Sequence, residues 1–369
     1  MVPCINTSIW EKRTGSCAGQ KNTNEAARFK EASAVAVEWT VDFFKPEDAN
    51  GVVELFRSVY GNDYHVKSIY DPDQLIAEQL SGKTYRAVVR TTAGEIIGHT
   101  AFCATSSLNP PLYEAVQLLV RHEWRGTNVA TELKRFAIPQ IPVKYGLKQV
   151  WGEAVCNHAS SQRAYTENQY AETGCEIDLL PGTGMARSMK AADTGRVAVI
   201  VVFRPYEDRP QKIYLPPVYW KQLEYLYADF DHGHHFLPGD GPLSAEQPTQ
   251  GKLELYSQVA VARMNFTVIG SDFADLLTKF DHQASENGIR VSQVFLPLTV
   301  AATGEAVDIL RRCGYCLGGV MPRWFGDDGL LMQKVLGSPN FEGVRLYTDR
   351  AKNILELVTA DWQGAVGHR

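Results

Sequence analysis

The chain has 369 residues, 44% of them apolar, and a formal charge of −5. That length exceeds one ordinary domain and predicts two, while the mildly negative balance argues against an extended nucleic-acid or anionic-membrane surface. Seven cysteines without framework spacing fit reduced thiols and a cytoplasmic protein, and no apolar run near the N-terminus is long enough for a signal peptide or a membrane span.

Residues 1–37 read as a polar leader, loosely ordered. From Glu38 the chain alternates elements. VEWTVDFF is strand-like, and KPEDANGVVELFRSVYG follows as a helix opened by Pro46 and Glu47 and stopped near Gly61. DPDQLIAEQLSG predicts a short second helix. TYRAVVRTTAGEIIGHTAFCAT is two β-rich runs about a turn at Ala93-Gly94, and YEAVQLLV is a fourth strand. A helix through Phe136, the strand KQVWGEAV, a helix over 160–169 and a strand near RVAVIVVFRPY complete the order β-α-α-β-β-β-α-β-α-β.

The junction RHEWRGTNVATELKRF carries the first chemical signal. A strand ends at Val120, and a turn at Arg125-Gly126-Thr127-Asn128 leads into a helix beginning near Val129. A helix start offers unpaired N–H groups and a partial positive charge, which suit a pyrophosphate. Arg125 adds a cation, and the small Gly126 and Ala130 allow close approach to the backbone. Taken alone, the same residues also describe an ordinary surface loop.

VRHEWRGTNVATEL resembles the acyl-CoA signature of the GNAT acetyltransferases, Arg/Gln-x-x-Gly-x-Gly/Ala before a helix, with Arg125, Asn128 and Ala130 at those three positions. Asparagine replaces the middle glycine. Because asparagine visits the left-handed backbone region more readily than most residues, Asn128 is expected to take up that turn. The resemblance implies that the main chain of Leu118, Leu119 and Val120 binds the pantetheine arm, and that residues 125–130 (Arg125, Gly126, Thr127, Asn128, Val129, Ala130) hold the pyrophosphate. A second segment, CNHASSQRAYTENQYAETGCEI, resembles the GNAT helix that ends in a tyrosine before an aromatic-plus-glycine turn. It places His158 and Ser161 beside the cofactor, with Tyr165 one helical turn from Ser161 on the same face. Together these matches cover about Glu38 to Tyr206.

What the resemblance implies is transfer of an acyl group from acetyl-CoA to an amine, with no metal. A phenol with an ordinary pKa of about 10 keeps its proton at neutral pH, so Tyr165 can donate it to the departing sulfur. An alkylamine must lose a proton before attack, and Glu114, on the fourth strand, is the candidate base. Simple alternation would place Glu114, Val116, Leu118 and Val120 on one face, unless a bulge changes the parity. A solvated strand-end carboxylate is the competing reading of Glu114, and Glu123 reads as a surface charge. Without a base, a weakly basic nitrogen such as a hydrazine would be the acceptor.

Beyond Tyr206, EDRPQKIYLPP has linker composition and VYWKQLEYLYADF reads as an amphipathic helix. From Gly251 the chain reads β-α-β-α-β, and AVDILRRCGYCLGGVMP resembles the helix-and-turn segment around Tyr165. Cys313 and Cys316 have metal or redox spacing but no second pair, and read as structural thiols. Asp229, Asp231, His232, His234 and His235 cluster in DFDHGHHF, either as a polar junction loop or as an acid–base group beside the acceptor pocket.

The expected architecture is therefore an α/β mixed sheet in tandem GNAT-like domains. Residues 1–37 are leader, 38–206 the acetyl-CoA-binding catalytic domain, and 207–369 a linker and degenerate domain without a CoA loop. The expected acceptor is a small-molecule amine, with no nucleic acid or membrane partner, in a monomer or homodimer. A protein or peptide acyltransferase and a non-catalytic acyl-CoA-binding module are the alternatives.

Overall fold

Runs such as Val197–Phe203 and Gln149–Val155 are apolar on both faces, which requires strands covered from both sides. The computed structural model describes residues 38–64, 66–105, 108–182, 195–229 and 233–366 and places these two runs side by side in the interior of one twelve-stranded sheet. The leader expected over residues 1–37 lies outside the described residues. The first half runs β1 (Trp39–Phe43), α1 (Ala49–Tyr60), α2 (Pro72–Leu80), β2 (Thr84–Thr91), β3 (Ile96–Ala104), β4 (Leu112–Val120), α3 (Val129–Tyr145), β5 (Gln149–Val155), α4 (Ser160–Thr166), β6 (Ala171–Pro181) and β7 (Arg196–Pro205).

The second half opens with a short parallel pair, β8 (Lys212–Leu215) and β9 (His235–Pro238), around α5 (Trp220–Tyr227). It continues with β10 (Gln250–Tyr256), β11 (Val261–Val268), α6 (Phe273–Glu286), β12 (Val291–Pro297), α7 (Thr303–Arg312), β13 (Cys316–Met321), β14 (Gly329–Val335) and α8 (Asp349–Val366). The sheet order is β1-β2-β3-β4-β5-β7-β6-β13-β14-β12-β11-β10. Read outward from its centre, the order 6-7-5-4-3 on one side is matched by 13-14-12-11-10 on the other. In each half the strand pair β4–β5 or β11–β12 is parallel and its neighbours are antiparallel.

The halves meet where β6 and β13 run antiparallel with Gly174 opposite Gly319. Equivalent residues face each other there, which is the signature of a two-fold contact. Glycine is required for steric reasons: a Cβ on Gly174 would stand 2.6 Å from the carbonyl oxygen of Gly318 and 2.9 Å from the Cα of Gly319.

Several expectations need correction. The helix expected to stop at Phe136 runs on through Pro139 and Pro142 to Tyr145. Proline at 142 has no N–H for the carbonyl of Ile138, and the Tyr206 hydroxyl donates to that carbonyl instead, at 2.9 Å. The aromatic-plus-glycine turns after Tyr165 and after α7 are the strands β6 and β13, each bulged next to its glycine. The run from Gly251 is a β10–β11 hairpin rather than one strand, and α8 had no counterpart in the sequence reading. Pro46–Asp48 form a 3₁₀ turn ahead of α1, and the helix expected over 160–169 ends at Thr166.

Candidate active site

The β4–β5 ladder stops at Glu114 opposite Trp151, and beyond it the two strands part. Between Val116 and Leu119 the β3–β4 register slips by one residue, with Gln117 at a φ of 57°. This bulge re-aims the strand. Leu118 therefore lines a groove while Leu119 packs into the α1–α2 core, so the simple alternation that put Glu114, Val116, Leu118 and Val120 on one face does not hold.

The groove is open to solvent and spans about 490 Å³, a volume that includes solvent space at its mouth. Ala115, Val116 and Leu118 of β4 form its floor, Lys134, Ala137 and Ile138 of α3 one wall, and Ser160, Ser161, Ala164 and Tyr165 of α4 the other. Tyr165 is buried at its inner end, where its hydroxyl donates to the Ala115 carbonyl at 2.9 Å. Gly152 on β5 makes room for that ring: a Cβ there would lie 2.5 Å from the hydroxyl oxygen and 2.7 Å from Cζ.

The loop before α3 differs from expectation in one respect. Gly126 takes the left-handed turn, at a φ of 81°, with nothing within 4 Å of a Cβ built on it, while Asn128 has a right-handed backbone at φ −81° and ψ 1°. The turn moved by two residues, so Asn128 is no obstacle to the loop. Thr127 organises it, donating to the Trp124 carbonyl at 2.6 Å and accepting from the Val129 N–H at 3.3 Å. Arg125 is half-buried, with its Nε on the Val120 carbonyl at 3.2 Å. Gly126, Thr127 and Asn128 are exposed, whereas Val129 and Ala130 are buried at the helix start.

His158 and Ser161 serve the amino end of α4. The His158 Nδ1 accepts from the Ser160 N–H at 3.3 Å, and the Ser161 hydroxyl donates to the Val155 carbonyl at 3.4 Å. Gln162, unassigned in the sequence reading, fixes the helix to the second half. It donates to the Arg345 carbonyl at 2.7 Å and accepts from the Tyr347 N–H at 2.9 Å. Lys134 was missed as well: it lines the groove, and burial pushes its ammonium below the ordinary lysine value.

Glu114 is fully buried, and neither carboxyl oxygen has a hydrogen-bond partner, which excludes a solvated strand-end carboxylate. It belongs to a set of charged groups enclosed between the halves. Arg263 of β11 donates Nη2 to Glu153 Oε1 at 2.8 Å, stands 3.8 Å from Glu176 Oε1, and donates Nε to Gln293 at 2.8 Å. Gln293 donates to Glu176 at 2.5 Å. Burial and then the charge of Glu153 raise Glu114 well above the ordinary carboxylate value and raise Glu176 to about 8, with Arg263 opposing both shifts.

The loop into α3 and the tyrosine-bearing α4 stand in the order and on the strands that the sequence resemblance implied, and β4 carries a bulge. No family model and no curated protein matches the chain. Similar solved structures include the ribosomal-protein-S5-alanine acetyltransferase from Vibrio fischeri, at 11% identity and a TM-score of 0.36, covering 50% of this chain and 98% of that one. They also include the spermidine/spermine N-acetyltransferase from Vibrio cholerae, at 14% identity and a TM-score of 0.34, covering 46% and 95%. A third is an N-acetyltransferase from Staphylococcus aureus Mu50, at 14% identity and a TM-score of 0.35, covering 46% and 98%.

The remaining candidates lie elsewhere. Asp231 and His232 are outside the described residues. His235 starts β9, and His234 is buried 3.5 Å from Asp328, which also accepts from the Tyr227 hydroxyl, so both belong to the β8–β9 layer rather than the groove lining. Cys316 is buried with its Sγ on the Gln333 carbonyl, and Cys313 follows the end of α7. Among the described residues no group of three or more His, Cys, Asp or Glu is arranged to hold a metal ion, and no helix is long and apolar enough to cross a membrane.

Proposed function

We propose that the chain is an acetyl-CoA-dependent N-acyltransferase acting on a small-molecule amine. In this reading residues 38–206 are the catalytic domain, and residues 207–369 form a GNAT-like repeat without a CoA loop. The observation that carries the reading is the groove between α3 and α4 ending at the Tyr165 hydroxyl, on a strand whose other face carries an unpartnered, fully buried carboxyl.

Bound acyl-CoA supplies an activated thioester. The residues present fit such a group: Gly126 leaves open space at the turn, α3 begins with its first amides directed at the loop, and the parted strands leave β4 main chain beside the groove. Arg125 and residues 126–130 hold the pyrophosphate, Leu118 and Val120 offer main-chain groups to the pantetheine arm, and an N–H near Val120 steadies the oxyanion. Tyr165 turns its hydroxyl from the Ala115 carbonyl to the departing thiolate. Glu114, on the opposite face of β4 from Ala115, takes the proton of the acceptor ammonium, so donor and acceptor reach the strand from opposite sides. Burial and the neighbouring Glu153 raise the proton affinity of Glu114 above that of an ordinary carboxylate, which strengthens it as a base once ionised.

The second half lacks the means to repeat this. Residues 269–272 join β11 to α6 where residues 121–128 join β4 to α3, and the β11–β12 ladder continues to Asn265 opposite Phe295 instead of parting. Its role in this reading is to cover the acceptor face of the first half.

Calorimetric titration with acetyl-CoA, followed by thiol release with panels of small amines and of peptides, tests the proposal. Binding weakened about tenfold or more by Arg125→Ala, unaffected by Asn128→Gly and coupled to thiol release with small amines is expected. Release with peptides alone would replace the acceptor class. Binding without release would leave an acyl-CoA-binding module, and no binding would overturn the reading.

A further inference from the structure

The strand ladders align the two halves residue by residue. In the parallel pairs, Leu112 opposite Gln149 corresponds to Val261 opposite Val291, so Glu114 opposite Trp151 corresponds to Arg263 opposite Gln293. The antiparallel pairs give the same alignment: Trp151 opposite Phe203 matches Gln293 opposite Gln333, and Ala171 opposite Phe203 matches Cys316 opposite Gln333. Arg263 therefore occupies on β11 the position that Glu114 occupies on β4.

That arginine is tied to its own half through Gln293 but makes its ion pairs outside it. Its guanidinium reaches across to Glu153 on β5 and Glu176 on β6, while Gln293 steadies both the guanidinium and Glu176. The charged and titratable groups facing Glu114 are Cys103 from β3, Glu153 from β5, Glu176 from β6 and Arg263 from β11. In that set of described residues Arg263 is the one cation. The unpartnered Oε2 atoms of Glu153 and Glu176 and both oxygens of Glu114 leave the enclosure short of positive charge.

We propose that Arg263 is a positioning residue for the acid–base work of Glu114: the second half, having lost its own CoA loop, supplies from the equivalent strand position the cation that controls the charge of the first half's base. The inference rests on the reading of Glu114 as base. In a site closed to water, a nearby opposite charge favours the carboxylate and a nearby like charge favours the acid, commonly by about one to three units. Removing Arg263 and removing Glu153 must therefore move Glu114 in opposite directions, which a purely structural role for either residue would not do.

The test follows the Glu114 carboxyl by ¹³C NMR in the full-length, glutamate-labelled chain, with Glu114→Gln used for assignment. Arg263→Met should raise the Glu114 midpoint by about one unit or more, and Arg263→Lys should return it towards the wild-type value. Glu153→Gln alone should lower it. Arg263→Met with Glu153→Gln, which removes one charge of each sign, should leave it near wild type. If Arg263→Met does not fold, the double variant and Glu153→Gln decide the matter. An unchanged midpoint, or shifts of the same sign in the two single variants, overturns the proposal. Full thiol release by Glu114→Gln would instead remove the reading of Glu114 as base and leave these shifts intact.

Discussion

Gly152 and Tyr165 form a pair whose counterparts show what the space demands. The register that matches Gly152 opposite Val202 with Val294 opposite Met332 equates Gly152 with Val294. The shared hydrogen bonds from Tyr170 N to Tyr165 O and from Tyr315 N to Leu310 O equate Tyr165 with Leu310. A glycine facing a tyrosine in the first half is thus a valine and a leucine, both fully buried, in the second. Gly152→Val would bring a Cβ to 2.5 Å from the Tyr165 hydroxyl, where about 3.5 Å is the comfortable approach of carbon atoms. The ring must then move by about 1 Å, at a cost of about 1–3 kcal/mol. Tyr165→Leu alone opens a void and costs about 2 kcal/mol. Combined, the two changes should recover most of that loss and show a coupling of about 1–3 kcal/mol in a double-mutant cycle. Urea unfolding followed by tryptophan fluorescence measures all four proteins. Simple addition of the single losses would refute the equivalence of the halves at this position. Acyl transfer should stay low in the double variant, because the phenol is gone.

Three further outcomes are expected. Glu176 has its folded value raised from 4.5 to about 8, so its contribution to stability is complete below about pH 4.5 and is lost as pH rises through about 8. Glu176→Gln should abolish this alkaline decline, measured as unfolding midpoints from pH 5 to pH 9, and an identical decline in the variant would count against the assignment. Tyr206→Phe removes the donor to the Ile138 carbonyl left open by Pro142 and should cost about 1–3 kcal/mol in urea unfolding; an unchanged midpoint would mean that water replaces the hydroxyl. Gly174→Ala should destabilise the full chain by about 1–3 kcal/mol, since the contacting atoms of Gly318 and Gly319 are backbone and can yield only if β6 and β13 separate. Unfolding at the wild-type midpoint would show that the strands already have that freedom.

The loop before α3, the tyrosine-bearing helix and the strand bearing Glu114 were legible as elements because each depends on local spacing. The position of the left-handed residue was not, since Gly126 and Asn128 can both supply it and the hydrogen bonds of Thr127 decide between them. β6 and β13 were hidden for a related reason. The segments holding Gly174 and Gly319 read as helix-and-turn, yet both glycines sit in strands because two backbones approach too closely for side chains. The helix through Pro139 and Pro142 depends on a tyrosine distant in sequence, and no window around the prolines contains it. The carboxylate enclosure was the least visible part. Its members come from β4, β5, β6, β11 and β12; β5 and β11 have five strands between them in the sheet order, and only the tertiary fold brings their side chains together.

The Gly174–Gly319 contact has a consequence for what such a site can contain. Had two identical chains met along this pair of strands, every residue on one side would have its own copy at the equivalent place on the other, and a glutamate at position 114 would be answered by a second glutamate. Within one chain the two halves need not be identical. One can carry a carboxyl while the other carries a cation at the equivalent strand position, so the asymmetry of Glu114 and Arg263 is available to two halves of one chain and forbidden to a symmetric pair.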